Sequence, residues 1–551
     1  MLKRIAWIGM LVLGATNATS YPIEIGGLNL LRASTKDVSD ALQAGNVTSV
    51  QLVDAYFARI DGHNIKGKEQ LLKYYIYYDL MGFGLGLRAI IETAPIQKVR
   101  TIAHNLDIER SNGQVRSPLH GIPILVKDNF DTAIELGMNT TAGSFVLLKD
   151  GGQVVGDAFV IKKLRDAGAI ILAKANLLEW SGAPDSDETA WSPRGGQVSS
   201  PYVDGGFAAG GDPGGSSSGP GAGVAAGFAP LALGTDTEAS IVVPSSRGAL
   251  YGLRPSTGMT SRTGVVPIST SQDTTGPLGK STWDVAISLS IMAGLDPDDS
   301  YTIPAEQYRQ DDYTKFINAS GFQGLRLGVV REPFFKSETA RDRLMVSSFN
   351  ESLAKIASLG ATIMETPLPN KEEWNYTFVG GPKRTSNGTI QLQYDLNNDM
   401  ANYLAARRIN SSLNSLEDVI NSMVKWWSLE SPEGQCCFPT FIAADQVGNR
   451  ESSGEYWLAK HAQKRLYEEG PAAIFRNYNL DVIVLPTEFN SARLGAVGWL
   501  PVGTVPLGYD DIKMPFGLAF VGKRYDEGTV IRAMSAYEAN FPARRVPTTL
   551  N

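Results

Sequence analysis

The sequence predicts an α/β fold built on a large, mostly parallel sheet. Three observations predict it. Residues 157–167 have a helical period closed by Gly168, and 169–174 follow as a short apolar strand. The same α-then-β order returns at 341–359 and 361–364, as crossover helices between parallel strands require. Hydrophobic residues make up 43% of the 551-residue chain, enough for a sizeable core.

The elements can be justified in chain order. Residues 34–45 read as a short amphipathic helix, with Ser34 as its cap, Asp37 three residues on and Gly45 at the left-handed exit. A second helix starts at Thr48, where Gln51 completes a capping box, and Leu52, Tyr56 and Ile60 form its buried stripe. Residues 98–110 fit a helix ending near Gly113. Residues 122–127 read as a buried strand that ends, unusually, in Lys127. Residues 263–267 and 273–277 are expected to be loops and turns. Residues 481–487 read as another buried strand, and 527–538 as the last helix.

The chain is organised around residues 210–258, which are packed with Gly, Ser and Ala and hold little charge. Gly214-Gly215 precede Ser216-Ser217-Ser218. Leu231-Ala232-Leu233 then leads into Gly234-Thr235-Asp236-Thr237-Glu238-Ala239-Ser240. A flexible linker would lack such apolar material to bury. Upstream stands Gly121-Ile122-Pro123-Ile124-Leu125-Val126-Lys127-Asp128.

These three motifs, in this order, resemble the amidase signature family. Its usual form is a GGSSGG cluster followed by GTDxGGS, with a G-[IV]-P-hydrophobic-K-[DE] segment before them. The resemblance runs from about residue 30 to 545 and implies one amidase signature domain over 21–551. Its sheet would be mixed, with helices on both faces. It also implies a serine–cis-serine–lysine triad: Ser240 as nucleophile, Ser216 after a cis peptide, and Lys127 as base. Gly214, Gly215 and Asp236 would support the site. Backbone N–H groups of Thr237, Glu238, Ala239 and Ser240 would form the oxyanion hole. Residues 366–480 match least and are expected to wall the substrate pocket.

The chemistry explains why these residue types are needed. A serine hydroxyl attacks an amide only when a base removes its proton. A lysine can do so only when neutral, and burial beside Ile124, Leu125 and Val126 would lower its pKa. The proton would pass from Ser240 to Ser216 to Lys127 and return to the departing amine. One departure stands out. The family has Gly-Gly before the nucleophile, and this chain has Glu238-Ala239. Glu238 would have to point away from the site or contact Arg247.

Composition bounds the setting. A net charge of −7 with no basic run argues against a nucleic-acid partner. The N-terminus has Lys3 and Arg4, an apolar run too short to span a bilayer, and Ala18-Thr19-Ser20. Residues 1–20 therefore read as a signal peptide, with a secreted product and no stable membrane anchor. Sequons at Asn46, Asn318, Asn350, Asn375, Asn387 and Asn410 agree with export. A further sequon at Asn139 is expected to be covered. The adjacent Cys436 and Cys437 cannot form an ordinary disulfide framework and read as buried free thiols. Residues 65–85 interrupt the resemblance, as a retained intron or as a genuine inserted hairpin or membrane-facing helix.

Competing readings are weaker. Gly215-Ser216-Ser217-Ser218-Gly219 fits the G-x-S-x-G elbow of α/β-hydrolases with Ser217 as nucleophile. That reading needs a preceding strand, and His461 as its base. Four scattered histidines lack metal-ligand spacing, so neither metal nor cofactor is expected. Glu238-Ala239 raises the possibility of a secreted protein that binds amides without turning them over. A transamidase subunit acting on charged tRNA is opposed by the acidic charge and the signal peptide. The expected partner is a small-molecule amide; oligomeric state is not readable.

Overall fold

The structure is a computed structural model that describes residues 21–64, 85–184, 189–374, 386–431 and 438–550. The signal-peptide reading, most of the 65–85 stretch, Asn375, Cys436 and Cys437 lie outside the described residues.

The organising element is an eleven-stranded sheet. Its strands are β1 (Ile90–Thr93), β2 (Pro123–Lys127), β3 (Ile170–Ala175), β4 (Leu231–Asp236), β5 (Tyr251–Arg254) and β6 (Thr274–Gly279), followed by β7 (Arg326–Val329), β8 (Thr362–Glu365), β9 (Val482–Pro486), β10 (Val502–Tyr509) and β11 (Pro515–Gly522). Their spatial order is β8-β7-β9-β11-β10-β5-β6-β4-β2-β3-β1. The sheet is mixed. Parallel pairing joins β3, β2 and β4 in one block and β8, β7 and β9 in another. Antiparallel pairing fills the middle and ends the sheet at β1. The two parallel blocks contain the α-then-β units read from the sequence. Phe159–Asp166 precedes β3, and Ala340–Ser358 precedes β8.

Helices cover both faces because side chains alternate along the strands. In β9, Val482 and Val484 join Leu289, Phe349 and Met534 on one side. Ile483 and Leu485 join Leu466, Ile474 and Val497 on the other. The N-terminal helices α1 (Thr35–Gln43) and α2 (Ser49–His63) carry the two expected capping boxes, at Ser34/Asp37 and Thr48/Gln51. Helix Ile96–Ser111 follows, and Gly113, Gly168 and Gly45 all have positive φ.

One expectation fails. Residues 273–277 were expected as loops and turns. The residues from Thr274 onward instead form β6, paired antiparallel with β4 over six positions. Pro277 is tolerated because β5 pairs only with Leu278 and Gly279 and has stopped before it.

The small-residue stretch makes a helix, α3 (Ser218–Ala225), that is buried along its whole length. A Cβ on Gly219 would sit 2.4 Å from backbone atoms of Ala89 and Asn176. The region 366–480 is mainly helical where described, with one short strand, Arg408–Ile409, paired to Gln153–Val154. Leu392, Leu396, Met400 and Phe441 pack onto Val146, Trp180 and Val266, which lie outside the sheet. Gly219→Ala should overpack the contact of α3 and lower stability by about 1–3 kcal/mol. The shift of the urea midpoint relative to the unsubstituted protein measures this.

Candidate active site

Strands β2 and β4 run side by side and parallel, with Leu125 opposite Ala232 and Val126 opposite Leu233. Their carboxyl ends therefore reach the same edge of the sheet, the usual location of ligand sites in such folds. Lys127 ends β2, and Asp236 ends β4. The chain enters the same edge again through Gly214-Gly215-Ser216 before α3 begins. The Gly215–Ser216 peptide is cis, as the resemblance implies.

These segments bring Lys127 and Ser216 into contact. Lys127 Nζ lies 2.7 Å from Ser216 Oγ and 2.8 Å from Thr235 Oγ1. Asn129 Nδ2 donates to the same threonine hydroxyl at 2.9 Å. Lys127 is fully buried and Ser216 is 2% exposed, whereas Ser240 is half-buried. Ser240 is tied to the serine cluster through the backbone: the Ser217 N–H donates to its carbonyl at 3.1 Å. The Ser240 hydroxyl makes no hydrogen bond among the described residues.

Burial dominates the electrostatics of Lys127. Desolvation pulls its pKa down to about 7, against the opposing pull of the Asp236 and Asp273 carboxylates. A second lysine, Lys174, is equally buried on the neighbouring strand β3, opposite Val126. Its surroundings differ. Lys174 Nζ donates to Phe130 O and Thr140 Oγ1 and stands 3.9 Å from the Asp128 carboxylate, which Arg194 also approaches at 3.9 Å. That lysine secures the loop after β2 and touches no serine hydroxyl.

The loop after β4 is held from below. Asp236 and Arg254 form a fully buried ion pair at 2.6 Å. Asp236 Oδ2 also accepts the Ile241 N–H at 2.7 Å, and Arg254 donates to the carbonyls of Asp236, Thr237 and Gln272. Residues 237–240 are thus clamped at both ends. The N–H groups of Thr237, Ala239 and Ser240 donate to no protein acceptor among the described residues. Asp273 accepts the Thr237 hydroxyl at 2.6 Å.

The two non-glycine residues before Ser240 each have a structural answer. Ala239 adopts φ 78°, the left-handed region that the family's glycine would occupy without strain. Glu238 turns to Arg493, 3.0 Å away, and its side chain is 8% exposed. The expected contact with Arg247 does not form; Arg247 pairs instead with Asp212 at 2.5 Å and with Glu488 at 3.5 Å. Gly214, with φ 74°, packs where a Cβ would meet Val243 at 2.8 Å.

The elbow reading is overturned. No strand leads directly into Ser217, which is fully buried and donates to Thr235 O at 3.2 Å. His461 is exposed on the helix Gly454–Glu469. Asn129 and Thr235 were missed by sequence reasoning. Thr235 lies inside the GTD motif, but nothing in the motif says that its hydroxyl faces a lysine. Ala239→Gly should relieve the left-handed strain and stabilise the fold by about 1 kcal/mol. A rise in the thermal midpoint checks this.

Comparisons with known proteins bear on the family and the fold. The Amidase family model matches residues 87–498. A probable amidase of Arabidopsis thaliana is 33% identical over 534 residues, covering 94% of this chain and 92% of the relative. The native peptide amidase of Stenotrophomonas maltophilia superposes with a TM-score of 0.80 at 32% identity, over 94% of this chain and 98% of that one. An amidase family protein of Bacillus anthracis gives a TM-score of 0.78 at 28% identity, over 94% and 93%. The chain belongs to the amidase signature family and is an amidase, a hydrolase of carboxylic amides.

Proposed function

We propose that Ser240 is the nucleophile of this amidase and that Lys127, acting through Ser216, is its base. The observation that carries the reading is the 2.7 Å contact between a buried lysine amine and the Ser216 hydroxyl. An amine with its pKa near 7 is substantially neutral at neutral pH and can accept a proton. Lys127 takes the proton of Ser216, and Ser216 takes that of Ser240. Ser240 Oγ attacks the amide carbon, and the carbonyl becomes a tetrahedral oxyanion facing the N–H groups of residues 237–240. The proton returns along the same path to the nitrogen as the C–N bond breaks, and ammonia or an amine leaves. Water then hydrolyses the acyl-serine to the acid.

The substrate is a small carboxylic amide, its acyl and amine groups selected by the helical region 366–480. The packing of that region onto Trp180 and Val266 supports this. The Glu238–Arg493 pair supports turnover over mere binding, because it gives the one new charge beside the site a counter-charge.

The protein is read as a secreted glycoprotein. The N-terminal pattern supports export, and Asn46, Asn318, Asn350, Asn387 and Asn410 are exposed. Asn139, expected to be covered, is exposed too and makes a hydrogen bond to Glu92. No helix among the described residues is long and apolar enough to cross a membrane. Secretion from a eukaryotic host and a mass loss on deglycosylation would test this; protein retained in the cytosol and unglycosylated would refute it.

Ser240→Ala and Lys127→Ala, assayed on amides of varied acyl length, should each lose at least about 1,000-fold in kcat with the fold intact. A serine-reactive phosphonate should label Ser240 in the unsubstituted protein, and folded protein that resists labelling would favour binding without turnover. The rate should also depend on pH with a definite sign. Below about 7, Lys127 is protonated and cannot accept a proton, so kcat/KM should rise with pH and level off above it. A profile that falls over this range would remove Lys127 as base.

A further inference from the structure

A cavity of about 650 Å³ lies away from the candidate active site. Its position follows from the β4–β6 ladder. Thr274 pairs with Asp236 at the catalytic edge, whereas Gly279 pairs with Leu231 at the other end. Five strand rises, about 17 Å, separate the two. Lys280 follows Gly279 directly and lines the cavity, as does Arg544 from the C-terminal segment.

The charge in this cavity is unbalanced. Four basic side chains line it, Arg32, Lys36, Lys280 and Arg544, against the carboxylates Asp37 and Glu538. Both carboxylates are engaged: Asp37 in the capping box of α1, and Glu538 in accepting the Thr282 N–H at 2.8 Å. Lys36 pairs with Asp40 at 2.6 Å. Lys280 and Arg544 form no side-chain ion pair among the described residues. Lys280 Nζ donates to Leu30 O at 2.6 Å. Arg544 donates to Ala249 O and Leu31 O, both at 2.9 Å, and to Tyr202 Oη at 3.2 Å. Every one of these acceptors is neutral. Lys280 is 4% exposed. A buried amine with no counter-charge in contact holds a proton at a cost, and once protonated it has more donors than Leu30 uses. Trp283 and Ile317 add an apolar wall.

We propose that this cavity binds a monocarboxylate with an apolar body, its carboxylate bridging Lys280 and Arg544 and its body lying along Trp283 and Ile317. A guanidinium and an ammonium converging on one anion supply charge-assisted hydrogen bonds, and the indole covers the hydrocarbon. The acid released by amide hydrolysis belongs to this class, but the site stands independently of the roles assigned to Ser240 and Lys127.

The groups around Lys280 add a signature. Burial pushes its pKa well below the ordinary lysine range. Arg544 and Arg59 push it further down, while Asp284 and Asp37 pull it up; Tyr251 and Glu538 also face the cavity. Burial thus favours loss of the Lys280 proton, and an arriving carboxylate favours its uptake. Binding should take up a proton and weaken as pH rises.

Calorimetric titration of hexanoate into Ser240→Ala protein tests the proposal, run in two buffers of different ionisation heat. The expected result is a binding event with proton uptake, weakened at least 10-fold by Lys280→Met and absent with hexanol, which has the body without the charge. Inorganic phosphate, which has the charge without the body, should bind at least 10-fold more weakly than hexanoate. Trp283→Ala leaves the Leu30 contact in place, should also weaken hexanoate, and carries the test if Lys280→Met does not fold. Hexanoate affinity unchanged in a folded variant of either kind, or no binding at all, would overturn the proposal.

Discussion

An amine held among aliphatic side chains cannot keep its proton without a compensating charge close by, and Lys127 is given none in direct contact. Its neighbours are two hydroxyls, on Ser216 and Thr235, with the carboxylates of Asp236 and Asp273 acting only through space. The rest of the site depends on this arrangement. It requires a strand buried on both faces to carry the lysine. It also requires a parallel neighbour to bring the GTD loop to the same edge, and a backbone compact enough to insert a serine between them. The long run of small residues serves the last requirement. Gly234 leaves no room for a Cβ, which would stand 2.6 Å from Ser217 Oγ.

The loop after β4 shows how one buried ion pair can absorb changes above it. Asp236 and Arg254 fix both ends of residues 237–240 through backbone atoms, so the side chains in between can vary. Here that freedom is used by an alanine in a left-handed conformation and by a glutamate drawn aside to Arg493. Breaking such a buried pair leaves an uncompensated charge, typically at a cost of about 3–5 kcal/mol. The pair therefore constrains the loop more tightly than the identity of Glu238 or Ala239 does. The two buried lysines on adjacent strands make a related point. Lys127 and Lys174 differ in role because one meets the Ser216 hydroxyl while the other meets the Phe130 carbonyl and the Thr140 hydroxyl beside the Asp128 carboxylate.

Much of the secondary structure was legible locally. Capping boxes at Ser34 and Thr48, and glycines at 45, 113 and 168, mark helix ends through hydrogen bonds only a few residues long. Strand β6 was not legible, because the Gly276-Pro277 pair signals a turn and only the early end of β5 permits the proline. Of the two alternatives for Glu238, turning aside or reaching Arg247, the second fails. The actual partner, Arg493, is more than 250 residues away, a distance no local pattern spans.

The sequence by itself determined the α/β class, the family, and the identity of the three motif residues Lys127, Ser216 and Ser240. Each depends on short-range spacing or on an apolar run that must be buried. Tertiary structure alone decided that Lys127 meets Ser216 and Thr235 while Lys174 does not meet a serine. It also decided that Asn129 completes the shell and that Asp236 is balanced by Arg254. These depend on strand register and on which side chains share one edge of the sheet. Register is fixed by the packing of the whole core, so no segment carries it alone.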